Sequence, residues 1–233
     1  MDEPGLGALL RASWAVFRKD LQIELRTRYA LNALAMFVLT TVLVTSFYLG
    51  PGLLRRDPNV AATSSVLLWV TILFAALTGL ARVFVGEEEA QTTTLLRLHA
   101  PGLAVFWGKW LLNTVLLQAL MLVATVCFGI LTGLRVGNPW LLLVALGTGG
   151  LGLSTATTLI AGIIAKASAR SALFAALTIP VLFPLLLLVV QTTEQAILGQ
   201  PVAAALGNIQ GIVAYVAALA AASVLLFPFV WEA

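Results

Sequence analysis

Residues 110–134 read WLLNTVLLQALMLVATVCFGILTGL, a run with no charged side chain. A helix needs about 20 mainly apolar residues to cross the hydrocarbon core of a bilayer, so this run is long enough to span. Five further segments read the same way: 31–49, 66–85, 140–165, 171–190 and 209–230. Transmembrane β-strands would be about half as long and would alternate polar with apolar residues. These runs are continuous. The fold expected is therefore an all-α integral membrane protein with six transmembrane helices.

Composition agrees with that reading. Hydrophobic residues make up 61% of the 233 positions, charged residues only 10%, and the mean hydropathy is +1.03. Soluble domains carry about 25% charged residues, so lipid must serve as solvent for much of this surface. The net charge of +3 is read through its placement along the membrane, and no nucleic-acid partner is expected. The first apolar core begins near Leu31, too far into the chain for a secretory signal peptide. Cys127, the one cysteine, lies inside an apolar run and reads as a packing residue.

Lysine and arginine placement predicts the orientation. With the N-terminus inside, Arg11, Arg18, Lys19, Arg26, Arg28, Arg82, Arg97, Lys109, Lys166 and Arg170 are cytosolic. Only Arg55, Arg56 and Arg135 are then outside. Both termini are expected in the cytoplasm, in a multi-pass protein of the cell inner membrane. Tyr29, Trp107, Trp110 and Trp231 fall at inner boundaries, and Tyr48, Trp69, Trp140 and Tyr215 at or near outer ones.

Three local patterns refine the picture. Residues 6–28 form an expected amphipathic helix, within a cytosolic interface segment 1–30 that precedes a permease domain 31–233. Leu6, Leu10, Trp14, Phe17, Leu21 and Leu25 make one face, and Arg11, Arg18, Lys19, Gln22 and Arg26 lie mostly elsewhere. Such a helix tends to lie in the membrane interface, as a simple anchor or as an elbow that moves with a partner. The fourth span carries Gly150, Ser154, Thr158 and Gly162 four apart, a seam for close helix packing within one bundle or between subunits. In the fifth span Pro180 and Pro184 predict a kink or a break. The segment 191–208 beyond it is expected to form short helices at the outer surface.

Between the second and third spans lies a polar insert, 86–109, far longer than chain reversal requires. It carries Glu87, Glu88, Glu89 and Gln91, three threonines, Arg97, His99 and Pro101. Two readings stay open for the glutamates: a docking surface for a partner, or a solvated run at the start of a helix whose dipole they suit. Catalytic chemistry has no candidates. Gly102 and Gly108-Lys109 lack the spacing and the following Ser/Thr of a phosphate-binding loop. One histidine and one membrane-embedded cysteine make no tetrahedral metal site, and His99 reads as an ordinary loop residue. Spans nearly free of charge argue against ion-coupled transport and for energy supplied from elsewhere.

Four stretches in order resemble the CcmB family. They are Lys19-Asp20-Leu21-Gln22-Ile23-Glu24-Leu25-Arg26, the insert from Arg82 through Glu87-Glu88-Glu89 to Ala100-Pro101, Gly108-Lys109, and Pro180-Val181-Leu182-Phe183-Pro184. The insert departs from the family pattern at Ala81, Gln91 and Thr94. The resemblance implies a permease of the ABC-2 exporter type in cytochrome c maturation, with no enzymatic activity of its own. It implies two copies of the permease working with a CcmA-type ATPase, with CcmC and CcmD, and with the haem chaperone CcmE. ATP would be hydrolysed by the partner, no cofactor would be bound directly, and haem would be a candidate cargo. On this reading Arg82, Glu87, Glu88, Glu89, Arg97 and Pro101 couple to the ATPase, and Lys19, Asp20, Glu24 and Arg26 mark the interface helix. An ABC-2 permease exporting a lipid, drug or polysaccharide is the alternative.

Overall fold

A computed structural model of the chain describes residues 6–49, 58–80, 96, 100–165 and 170–232. Among these there are seven helices and no strand. They are α1 (Leu6–Thr27), α2 (Tyr29–Leu49), α3 (Pro58–Gly79), α4 (Gly102–Thr132), α5 (Pro139–Ile164), α6 (Arg170–Leu198) and α7 (Val202–Glu232). From α3 onward all five are long and apolar enough to cross a membrane. Of α2, 21 residues long, the stretch Ala35–Phe47 is apolar.

Mainly apolar sequence explains why α2 to α7 are helices. The polar N–H and C=O groups of backbone in lipid must find hydrogen bonds within the protein, and the helix supplies them within one segment. From α2 to α7 the chain runs up and down, joined by short connections at the end opposite α1: Gly133–Asn138 between α4 and α5, Gly199–Pro201 between α6 and α7. At α4 and α7, 31 residues give about 46 Å of helix against about 30 Å of hydrocarbon, so both project beyond it.

The core sits between α3, α5 and α6, with α5 the most enclosed helix. Trp69 of α3 is fully buried and donates its indole N–H to the hydroxyl of Thr193 at 2.8 Å. Its ring lies on Gly149 of α5, where a Cβ would meet the ring at 2.4 Å. Trp69 is thus a core residue, not the boundary ring expected. The bond to Thr193 explains the difference, because it satisfies the indole without water. Tyr215 also lies deeper than expected, about 20 Å into α7. Its hydroxyl donates to the Val181 carbonyl of α6.

The ends of several elements differ from the expected spans. α3 begins at Pro58 rather than at residue 66, and α4 at Gly102 rather than 110. Residues 102–109 therefore belong to α4, and the range 86–109 ends too late for the insert. Nor do residues 191–208 form separate outer helices. Residues up to Leu198 complete α6, and those from Val202 open α7. α6 also continues through Pro180 and Pro184 without a break. In the turn that Pro184 crowds, the Val181 carbonyl is met by Tyr215 of α7, so a neighbouring helix serves the backbone there.

Candidate functional site

At one end of the bundle α1 lies across the beginning of α4. Gly108 makes this approach possible. A Cβ there would stand 2.7 Å from the Ser13 carbonyl oxygen and 2.7 Å from the Val16 Cβ. With no side chain between the two backbones, Val16 joins Val105 and Phe106 in one buried cluster, and Phe17 packs with Leu112 and Leu116.

The next residue, Lys109, carries the charge of the site. Its Nζ is 3.1 Å from Asp20 Oδ2, and the side chains are 2% and 9% exposed. Lys19, 42% exposed, reaches the other oxygen, Oδ1, at 3.0 Å. One carboxylate therefore sits between a buried and a half-exposed ammonium. Desolvating such a pair is expensive, and removing one partner typically costs about 3–5 kcal/mol by leaving the other charge uncompensated. From sequence alone Lys109 reads as a boundary charge of the inner surface. Sequence reasoning missed its burial because its partner lies 89 residues away.

Burial divides α1 into three faces. Ser13, Val16, Phe17 and Asp20 are buried against the bundle. Leu6, Leu10, Trp14 and Leu25 of the expected apolar face remain more than half exposed. At 100° per residue that face lies roughly 90° from the packed one. Arg11, Arg18 and Arg26 occupy the exposed remainder, and Glu24 is half-buried. So the apolar face seen in the sequence is not the packing face, Phe17 being the residue the two share. A single non-helical residue, Arg28, separates α1 from α2, and its φ of 53° lies in the left-handed region.

From Lys109 a hydrogen-bond ladder continues along α4 onto α5. Trp110 Nε1 donates to Thr155 Oγ1 at 2.9 Å, and Asn113 Nδ2 to Thr158 Oγ1 at 2.9 Å. Thr114 and Ser154 share a hydroxyl contact at 2.8 Å, and Gln118 Nε2 donates to the Gly147 carbonyl at 2.9 Å. Such bonds contribute about 0.6 kcal/mol each within a membrane. The small-residue seam lies here: Gly150, Ser154, Thr158 and Gly162 are all buried, with Gly150 against Gln118 and Met121.

Close by, an aromatic cluster ties in the C-terminal helix. Phe106 lies 5.0 Å from Phe227, and Phe227 stacks on Trp231 at 6.0 Å. A Cβ at Gly102 would meet the Trp231 ring at 2.8 Å. Of the polar insert, Leu96 packs against this cluster, and its carbonyl accepts the Ala100 N–H at 3.0 Å, one helical turn before α4. Pro101 is exposed and caps the start of α4, its carbonyl accepting the Ala104 N–H at 2.9 Å. Arg82, Glu87, Glu88, Glu89 and Arg97 lie outside the described residues. Among the described residues no group of three or more His, Cys, Asp or Glu side chains is placed to hold a metal.

The structure thus brings together two sequence landmarks, Lys19-Asp20 and Gly108-Lys109, in one buried contact. Among curated proteins, none matches the chain significantly. The family model described as CcmB protein matches residues 11–233, a stretch that takes in most of α1, the insert and all the helices that follow. The chain therefore belongs to the CcmB family, the permease component of ABC-type haem export in cytochrome c maturation.

Proposed function

We propose that this chain turns ATP hydrolysis on a separate CcmA-type ATPase into movement within the membrane, driving release of haem-loaded CcmE. Two copies would work with the ATPase and with CcmC and CcmD. This chain supplies no catalytic group; ATP is the partner's, and haem is the candidate cargo. The end of the bundle that holds α1 would face the cytoplasm, with both termini there, a reading supported by the placement of ten of the thirteen lysines and arginines.

One observation carries this reading. α1, the start of α4, Leu96 of the insert and Trp231 near the C-terminus pack together at a single end of the bundle. A partner pressing on that end therefore meets several helices at once. The insert joins α3 to α4 there, so Glu87, Glu88 and Glu89, flanked by Arg82 and Arg97, are offered as the surface that meets basic groups of the ATPase. Pro101 then sets the direction in which the chain enters α4.

Changing the three glutamates to lysine tests the proposal. The expected outcome is a protein that still inserts but no longer co-purifies with the ATPase, and cells that no longer mature c-type cytochromes. Full retention of the ATPase with unchanged maturation would refute it.

A further inference from the structure

We infer that the Asp20–Lys109 ion pair is a releasable clasp that passes displacement of α1 to α4, making these two side chains positioning residues for coupling. The inference rests on the proposed function, and it names the contact through which that function would act.

Burial and surroundings point this way. Lys109 is 1% exposed, Gly108 beside it meets Val16, and Leu112 one turn further on packs with Phe17, so apolar packing flanks the pair. Replacing a buried ion pair by apolar residues is often neutral or stabilising, so strength alone does not explain the pair. What an ion pair adds is register. To the packing of the apolar side chains it adds a directional contact, because a charge-assisted N–H···O bond of 3.1 Å depends on both distance and angle and so marks one position of α1 on α4. Gly108 lets the backbones approach closely enough for that register to be read.

Two further features suit release. Lys19 holds the second oxygen of Asp20, so the carboxylate keeps a cation when Lys109 withdraws. Lys109 also directly precedes Trp110, the first donor of the ladder that runs through Asn113, Thr114 and Gln118 onto α5. A pull on Lys109 therefore falls on the helix pair with the most continuous polar connection among the described residues.

The test uses the whole complex. Wild-type protein is first co-purified with the ATPase; failure at this step would overturn the proposed function itself. The double variant Asp20→Leu with Lys109→Met is then compared with the charge-exchanged variant Asp20→Lys with Lys109→Asp. The apolar pair is expected to insert, to melt no lower than wild type and to retain the ATPase, while cytochrome c maturation falls at least tenfold. The exchanged pair should recover a measurable part of that loss. Wild-type maturation by the apolar variant would reduce the pair to a structural tie and overturn the clasp. So would an exchanged variant that folds, retains the ATPase and matures no cytochrome. Should the apolar variant fail to insert, the exchanged variant decides by the same criterion.

Discussion

The two ends of the bundle are fastened by different chemistry. Opposite α1, backbone meets backbone. The Gly137 N–H donates to the Ile197 carbonyl at 3.1 Å, the Asn138 N–H donates to the Ala196 carbonyl at 2.8 Å, and the Asn138 amide donates to the Gln200 carbonyl at 2.8 Å. At the α1 end side chains make the joins, through the Asp20–Lys109 pair and the rings of Phe106, Phe227 and Trp231. Backbone hydrogen bonds have no rotamers among which to choose. Charged and aromatic side chains have rotamers and second partners. On the proposed function, the first end would stay shut while the second rearranges.

Substitutions at each end can break that contrast. The largest effect is expected at Gly137, where a Cβ would stand 2.5 Å from the Gly199 Cα and 2.6 Å from its nitrogen. Neither atom belongs to a side chain that could turn away. Gly137→Val should abolish recovery of monodisperse protein in detergent. Normal yield and an unchanged melting temperature would show that this end is looser than its hydrogen bonds imply.

An intermediate effect is expected at the other end. Gly108→Val should lift α1 from α4 while the transmembrane helices remain assembled, because the clash is with Ser13 and Val16 of a peripheral helix. The readout is trypsin cleavage at Arg18, Lys19 or Arg26, which should become several-fold faster without loss of yield. If Gly108→Val collapses the fold as Gly137→Val does, the contrast between the ends fails.

The smallest effect belongs to Asn138→Ala. Asn138 Oδ1 accepts the Leu141 N–H at 3.1 Å and so caps α5, and its amide reaches Gln200. Loss of the cap and of one inter-loop bond should cost about 1–2 kcal/mol. A shift of the unfolding midpoint in a denaturing detergent titration measures it. A cost near zero would place the strength of that end wholly in its glycines.

The membrane class and the helical start of the chain were legible because they are properties of local runs. Of the six spans expected, five are long and apolar enough among the described residues, α2 having only Ala35–Phe47 as its apolar stretch. Burial of polar residues was not legible. Thr192, Thr193 and Gln195 read as the polar start of an outer-surface segment, yet Thr192 and Thr193 are fully buried and Thr193 receives the Trp69 indole. Likewise Pro180 and Pro184 signal a break when read alone, while Tyr215 of another helix serves the crowded turn. The site divided in the same way. Lys19-Asp20 and Gly108-Lys109 were both visible as landmarks, but an ion pair across 89 residues is a fact of packing and leaves no periodic trace. The apolar stripe of α1 was visible too, and most of it points away from the bundle because Gly108 offers the flatter surface to a different face.

Arg28 gives these contacts a mechanical scale. One residue separates α1 from α2, so a rigid tilt of α1 about Arg28 would swing an arm about 33 Å long. Asp20 stands eight residues from that pivot, about 12 Å along the arm. A swing of roughly 5° would carry the Leu6 end by about 3 Å and Asp20 by only about 1 Å. Small tilts at the tip are thus geared down about threefold at the ion pair and absorbed by its side chains. Larger ones arrive there as a pull that the pair must either transmit or yield to.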